Sequence, residues 1–220
     1  MIKQIRGLFV LLCTLVLLSP VQAGEWELAK QQDGITVQTR KVADSAFREF
    51  RGEVEVSANI NSVMAVLDDT ANFTRWMHQC AEAKLLHKES LLQRYQYLVN
   101  DFPWPAADRV LLIRNHISQA DDRVVTVSLD GVLPDELPEP ARAVLPQNKG
   151  AKWVTQLRGF YRLTPLDAAR TSVVFQLHLD PAGALPASLV NSMIVDNPFE
   201  TLRQLRERAS DPQYAHFDPF

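Results

Sequence analysis

The stretch LDPAGALPASLVN, residues 179–191, marks the change from strand to helix that decides the fold. The preceding run TSVVFQLHL, 171–179, alternates apolar and polar side chains with a period of two, which predicts a half-buried strand. Asp180, Pro181 and Gly183 then form a turn signal, because proline fixes one backbone dihedral and glycine accepts conformations closed to other residues. A strand of a sheet therefore passes through a short junction into the last element of the chain.

That last element is predicted to be one long helix that covers the sheet. Pro186 is a residue type favoured in the first turn of a helix. Apolar residues at helical spacing, among them Leu189 and Met193, continue to about Ala209. Pro198 lies inside this pattern, so we expect the helix to kink or break there.

The chain upstream is predicted to supply the rest of an antiparallel sheet. Connections are mostly short, as at the Asp33-Gly34 turn signal, which favours antiparallel neighbours over helical crossovers. Two short helices, the first capped by Asn59, interrupt the strands. The predicted fold is α+β, with a curved antiparallel sheet of eight or nine strands and a long C-terminal helix. Strands are predicted at 26–31, 35–42, 47–56, 91–99, 108–117, 123–129, 153–163 and 171–179, while periodicity leaves 80–90 ambiguous.

The first 23 residues have the three-part pattern of a secretory signal peptide. Lys3 and Arg6 precede an apolar run at 8–18, and a small-residue sequence ends at Ala23. That apolar run is far shorter than the roughly 20 residues needed to span a bilayer, which argues against a membrane anchor. We therefore expect cleavage after Ala23 and export, with the periplasm as the expected compartment.

The remaining composition favours one domain with an apolar ligand. Residues 24–210 suffice for one domain with a substantial core, and 211–220 form a C-terminal tail. The formal net charge of −3 becomes −5 without the two leader cations, which argues against nucleic acid as a partner. Cys80 is the only cysteine left, and His78-x-Cys80 lacks the further ligands of a zinc site. We expect no metal and no cofactor.

Three stretches, in this order, carry a family resemblance: WPAADRVLLIR at 104–114, GFYRLTP at 159–165, and the junction at 171–191. They resemble a strand entry, the last two strands and the helix entry of START (steroidogenic-acute-regulatory-related lipid transfer) domains. The similarity extends over about 25–210. It implies a helix-grip fold, in which the curved sheet wraps around the C-terminal helix and encloses a tunnel for one lipid or other hydrophobic molecule.

The resemblance also implies where the ligand binds and how it enters. Asp180, Pro181 and Gly183 become the hinge of the C-terminal helix, whose movement would open the tunnel, and transient membrane contact would accompany transfer. The ligand-binding candidates are the strand and helix residues Trp76, Tyr95, Tyr97, Leu112, Arg114, Val127, Phe175, Leu189 and Met193. Each aromatic residue among them is also explained by ordinary core packing.

Arg114 is the candidate whose orientation matters most. Strand periodicity favours an interior face with Leu111 and Ile113, which leaves Arg114 in solvent. The resemblance instead aligns Arg114 with an arginine of the family's strand, where its planar donors would bind a polar group of the ligand. Both orientations stay open at this point.

The longest connection, 130–151, has two interpretations. Its four prolines and weak periodicity are typical of a disordered connector, whereas its apolar residues would suit a lid or a membrane-touching element. Among its acidic residues, Asp135, Glu136 and Glu139 oppose contact with anionic lipid.

Two other functions compete with lipid carriage. The histidines are scattered and no G-x-S-x-G elbow is present, so the residues favour no enzyme. A superfamily hydrolase or cyclase would use His116 or His178 in the tunnel. A ligand-sensing module that does not transport its ligand is the third alternative.

Overall fold

The computed structural model describes residues 24–148 and 150–216, so the predicted signal peptide lies outside it. Within these ranges the chain forms ten strands and three α-helices. The strands are β1 Glu27–Gln32, β2 Ile35–Lys41, β3 Arg48–Val56, β4 Cys80–Lys88, β5 Gln93–Asn100, β6 Arg109–Gln119, β7 Val125–Gly131, β8 Lys152–Trp153, β9 Gln156–Pro165 and β10 Thr171–Asp180. The helices are α1 Ile60–Asp68, α2 Glu139–Ala143 and α3 Ala187–Ala209.

Nine of the ten described strands form one antiparallel sheet in the order β1-β2-β3-β10-β9-β7-β6-β5-β4. The two-residue strand β8 lies off this path and pairs in parallel with β6. After β3 the chain crosses through α1 to the far edge, runs back as a meander, and closes with β10 against β3. The predicted α+β helix-grip arrangement is confirmed, and the ambiguous segment 80–90 is largely strand β4.

Local sequence signals form the predicted turns and caps. Asp33 and Gly34 both have positive φ in the hairpin between β1 and β2, as a tight turn requires. The side chain of Asn59 accepts a hydrogen bond from the Ser62 amide at 2.9 Å, which caps α1. A 3₁₀ segment, Thr70–Arg75, follows α1 and leads into β4.

Helix α3 packs against β3, where a glycine makes room for it. A Cβ atom on Gly52 would lie 2.6 Å from the Leu202 side chain, closer than real Cβ atoms approach. Pro198 is buried beside the same glycine. The helix continues from 187 to 209 through Pro198, so the predicted break does not occur. Close packing on β3 holds the helix together across the missing amide donor.

The sheet is covered on both faces near β5 and β6. The main core lies between the inner face and helices α1 and α3. On the outer face, Val132, Leu137 and Ala141 of the connection after β7 are buried against Tyr97 and Leu112. The connection is therefore neither a disordered linker nor a lid on the ligand side, because its few apolar residues form a second small core.

Across residues 24–148 and 150–216, none of the helices combines the length and apolar character needed to cross a bilayer.

Candidate functional site: two joined cavities between sheet and helix

The inner face of the sheet borders a mostly apolar space, called here the first cavity. It lies against β5, β6, β7, β9 and β10 and is closed on the other side by the end of α1, the 3₁₀ segment and α3. Its apolar wall is formed by Leu67, Phe73, Leu98, Leu111, Ile113, Val127, Leu129, Leu157, Phe175 and Leu177. Such a wall excludes water and favours an apolar ligand.

A second space, called here the hinge cavity, adjoins the first at the end of the sheet where β10 passes into α3. The two cavities share Asn100, Leu111, Leu177 and Asn197 in their walls. Each has a free volume of about 60 Å³. Because a water molecule needs roughly 10–15 Å³ by this measure, each holds only a few waters, and a lipid requires the walls to move.

One part of the wall of the first cavity is charged. Arg94 of β5 points to the inner face with its side chain 3% exposed, and its Nη1 pairs with Asp68 at the end of α1. Its Nη2 donates to the carbonyl oxygen of Leu67 at 2.9 Å. Burial lowers the pKa of this guanidinium to about 10, so it stays a cation at neutral pH. The carboxylate of Asp68 compensates that charge.

A chain of neutral polar groups lies beside Arg94 on the same wall. Asn115 of β6 donates from Nδ2 to Gln96 Oε1 at 2.7 Å. Gln96 in turn donates from Nε2 to the hydroxyl of Thr70 at 2.5 Å. These buried groups have partners, as buried amides require, and the cavity therefore carries a polar stripe along β5 and β6.

Two buried polar atoms of the same wall have no partner among the described residues, namely Arg94 Nε and the hydroxyl oxygen of Tyr161. Tyr161 of β9 is 3% exposed and stacks on Phe175 with ring centroids 4.2 Å apart. Burial raises the pKa of its phenol, which therefore keeps its proton as a donor. An unpaired buried donor costs about 1–3 kcal/mol, so both atoms would be stabilised by an acceptor that the described residues do not supply.

The predicted hinge is held by a buried arginine. Arg109 of β6 donates from Nε to the carbonyl oxygen of Pro181 at 2.5 Å and from Nη2 to that of Ala182 at 3.1 Å. Its guanidinium also stacks over the ring of Phe102, 4.7 Å from the centroid. Ala182 and Gly183 both have positive φ. The junction before α3 is therefore a constrained backbone turn fastened to β6.

Three of the residues predicted to bind a ligand line the cavities. Val127 and Phe175 belong to the first cavity, and Met193 belongs to the hinge cavity. Leu189 is partly buried on α3 and lines neither space. Trp76 is buried against Phe73, with ring centroids 5.3 Å apart, as part of the main core.

The other predicted residues lie on the outer face of the sheet. Tyr95, Tyr97 and Leu112 belong to the second core under the connection after β7. Arg114 is also on this face, where its side chain is 45% exposed and lies 3.8 Å from Asp130. The periodicity of β6 therefore gives the correct orientation for Arg114, and the alignment with the family's strand arginine does not.

The polar residues of the wall were missed because β5 is buried on both faces. Reading LLQRYQYLV as a half-buried strand places the tyrosines inside and Arg94 and Gln96 in solvent. The opposite holds, because the second core covers the tyrosines. One sequence signal could have indicated the correct orientation. Asp68 lies at the end of a predicted helix, and its carboxylate can pair with a buried arginine.

The histidines proposed for catalysis also lie away from the cavities. His116 is exposed on the outer face, and His178 lies 3.1 Å from the Ser45 hydroxyl in an outer groove. His78 does line the first cavity. Within the described part of the chain, no cluster of three or more His, Cys, Asp or Glu side chains is placed to hold a metal ion.

A family model described as "START domain" matches residues 9–212. The chain belongs to the START domain family. An uncharacterized protein of Pseudomonas aeruginosa is 32% identical to it over 187 residues, which covers 85% of this chain and 88% of the relative. The START family resemblance inferred from the sequence is thereby confirmed.

Solved structures agree with the START fold. A STAR-related lipid transfer protein fragment from Xanthomonas axonopodis is 36% identical, with a TM-score of 0.74, and the match covers 84% of this chain and 99% of that one. Human StAR-related lipid transfer protein 5 gives a TM-score of 0.70 at 16% identity and covers 84% of this chain and 86% of its own. The second likeness concerns the fold alone.

Proposed function

We propose that this START protein binds one lipid or other hydrophobic molecule in the two joined cavities and carries it between membranes. The observation that supports the proposal is the apolar wall of the first cavity, which lies between the sheet and α3 and continues into the hinge cavity. Burial of ligand surface would supply the affinity. A ligand that loses roughly 400 Å² of apolar surface gains about 10 kcal/mol before ordering costs.

Entry of a ligand requires the helix side of the cavities to move. The sheet side is packed on both faces at β5 and β6, whereas α3 presents the partly buried Met193 and Ile194 to the hinge cavity. Rotation of α3 about 180–183 enlarges the hinge cavity first and leaves the sheet intact. In this proposal the helix moves and the sheet does not, and the hydrogen bonds of Arg109 to the turn before α3 restrain that movement.

The carrier proposal is tested by finding the ligand and then moving it. Protein purified from its native compartment is analysed by mass spectrometry under native and then denaturing conditions, and one lipid per chain is expected. Transfer of that lipid from donor to acceptor vesicles is then measured. An empty protein that neither binds nor transfers lipids of a broad panel would overturn the proposal, and conversion of a bound compound would favour an enzyme.

One substitution on α3 tests whether the hinge cavity is the route of the ligand, and a substitution at the neighbouring residue is its control. Met193→Trp fills the hinge cavity, so we expect transfer to fall at least about tenfold while the melting temperature stays near that of the wild type. Ser192→Trp adds the same ring at an exposed position and should leave transfer unchanged. Equal effects of both substitutions would show that the hinge cavity is not the route.

Membrane contact is proposed at the loop between β5 and β6. Trp104 in this loop is 92% exposed, and the nearby Phe102 lines the hinge cavity. Exposed tryptophan partitions into membrane interfaces, which would place the cavity mouth at the lipid surface. Trp104→Ala should reduce sedimentation with neutral vesicles several-fold. Leu166→Ala, an exposed apolar residue at the opposite end of the sheet, should not.

Export is proposed from the sequence of residues 1–23. N-terminal sequencing of the native protein should find Gly24 as its first residue, and osmotic shock should release the protein. A native protein that begins at Met1 would contradict export through signal cleavage.

A further inference from the structure

The polar atoms of the first cavity define the kind of ligand that fits it. Its wall contains one cation, Arg94, and among the described lining residues no carboxylate. The charge of Arg94 is already met by Asp68, which lies outside the wall. Lys88 also lies 3.6 Å from Asp68, with its side chain 40% exposed toward solvent. A cationic headgroup would find no counter-charge in this wall.

Two unpaired donors, by contrast, belong to side chains that line the cavity. Among the residues that the structure describes, the phenol of Tyr161 has no partner, although Tyr161 is packed against Phe175, where a phenylalanine would stack equally well. Arg94 Nε is the second donor without a partner, while its two terminal nitrogens are bound to Asp68 and Leu67. A neutral oxygen acceptor satisfies such donors without adding an uncompensated buried charge.

Resting on the function proposed above, we infer that the ligand is a neutral lipid whose hydroxyl, carbonyl or ester oxygens accept hydrogen bonds from Tyr161 and Arg94. Its apolar part lies against Ile113, Val127 and Leu129 of the same wall. Anionic, cationic and zwitterionic headgroups fit less well, because each leaves a charge buried without a partner. The class is therefore that of alcohols, glycerides, ketones and esters with long apolar chains.

The test uses four probes that share an eight-carbon chain: 1-octanol, octane, octanoate and octyltrimethylammonium. Binding to the full-length protein is followed by amide chemical shifts at pH 7. We expect 1-octanol to bind at least about fivefold more tightly than octanoate or octyltrimethylammonium. Tyr161→Phe should weaken 1-octanol about three- to tenfold, the effect of one hydrogen bond, and leave octane unchanged.

Conservative variants separate donor loss from damage to the fold. Arg94→Lys keeps the charge next to Asp68 but removes Nε, and should also weaken 1-octanol with octane unchanged. Tyr214→Phe and Arg114→Lys are matched controls outside the cavity, since Tyr214 donates to Asp69 at 2.8 Å and Arg114 is exposed. Neither control should change the affinity for any probe.

The outcomes distinguish this inference from the function on which it rests. If octane and 1-octanol bind but Tyr161→Phe and Arg94→Lys leave 1-octanol unaffected, water satisfies the two donors and the neutral-lipid inference is wrong. The neutral-lipid inference is also wrong if octanoate or octyltrimethylammonium binds more tightly than 1-octanol. If none of the four probes binds and vesicle transfer is absent, the carrier function itself fails.

Discussion

Arg109 donates a hydrogen bond from Nε to the carbonyl oxygen of Pro181 at 2.5 Å, which fastens the start of β6 to the junction before α3. Three main-chain carbonyls share this guanidinium, those of Ala107, Pro181 and Ala182. The loop before β6 and the turn before α3 therefore depend on one side chain. Phe102 of that loop and Arg109 itself line the hinge cavity, as does Leu179 next to the turn, so we expect this contact to affect how easily that end opens.

Replacement of Arg109 should loosen the hinge. Arg109→Met removes the donors to Pro181 and Ala182, so we expect a loss of about 2–4 kcal/mol in the free energy of unfolding. Amide exchange at 182–190 should accelerate more than in the rest of the sheet. Arg114→Met, an exposed arginine on the same strand, is the control and should change neither quantity. Uniform acceleration over the whole sheet would contradict a local hinge.

Gly52 is expected to tolerate no side chain. In Gly52→Ala the new methyl group meets the Leu202 side chain at 2.6 Å, so α3 must shift, at a cost of about 1–3 kcal/mol in urea unfolding. Gly150→Ala is the control, because among the described residues, chain neighbours aside, nothing lies within 4 Å of its added atom. Shortening the neighbour, in Gly52→Ala with Leu202→Val, should recover part of the loss. Additive losses would mean that the two residues do not meet.

The connection after β7 should contribute to stability through its buried side. Leu137 is 2% exposed in the second core, so Leu137→Ala should cost about 2–4 kcal/mol in the free energy of unfolding. Leu133 in the same connection is 37% exposed, and Leu133→Ala should change stability by less than about 1 kcal/mol. Similar small losses for both would show that the segment does not pack on the sheet.

Cys80 should make the protein less stable at alkaline pH. Burial raises the pKa of its thiol from 9.0 to about 11, so between these values the unfolded chain releases a proton that the folded chain keeps. The free energy of unfolding therefore falls as pH rises through this window, by about 2 kcal/mol from this group. Urea titrations at pH 7–11 should show a flatter profile for Cys80→Ala. Parallel profiles would refute the assignment.

The same burial should protect the thiol from alkylation. At pH 8, iodoacetamide should label Cys80 slowly in the folded protein and rapidly in urea, as read by peptide mass spectrometry.

The succession of strands and helices along the chain followed from local sequence, but the direction of the side chains in β5 did not. The alternation in TSVVFQLHL is a local signal, and strand β10 formed there as predicted. The turn at Asp33-Gly34 is another local signal, and it joins β1 to β2 as predicted. The placement of Tyr97 and Gln96 depends on what covers the outer face, which is a segment some forty residues later in the chain. The periodicity of a strand separates its side chains into two faces, but it does not show which face borders a cavity.

Pro198 shows a second limit of local reasoning. Its residue type predicts a kink or a break, yet α3 runs unbroken from 187 to 209, with Pro198 packed beside Gly52 of β3. The two donors proposed to bind a ligand could not be found from sequence either, since Tyr161 and Arg94 are singled out only by their lack of partners among the described residues of the folded chain.

The second core has a mechanical consequence for this START protein. The second core covers the outer face of β5 and β6, whereas the chain enters α3 through the turn that Arg109 fastens, so we expect the sheet to be the stiffer wall of the cavities and the helix the more compliant one. If the chain carries a ligand as proposed, variation in ligand size would be absorbed at the helix, and recognition of the polar end would remain with the sheet. We then expect substitutions at Arg94 to alter ligand selectivity and substitutions at Met193 to alter the size of ligand accepted, each independently of the other.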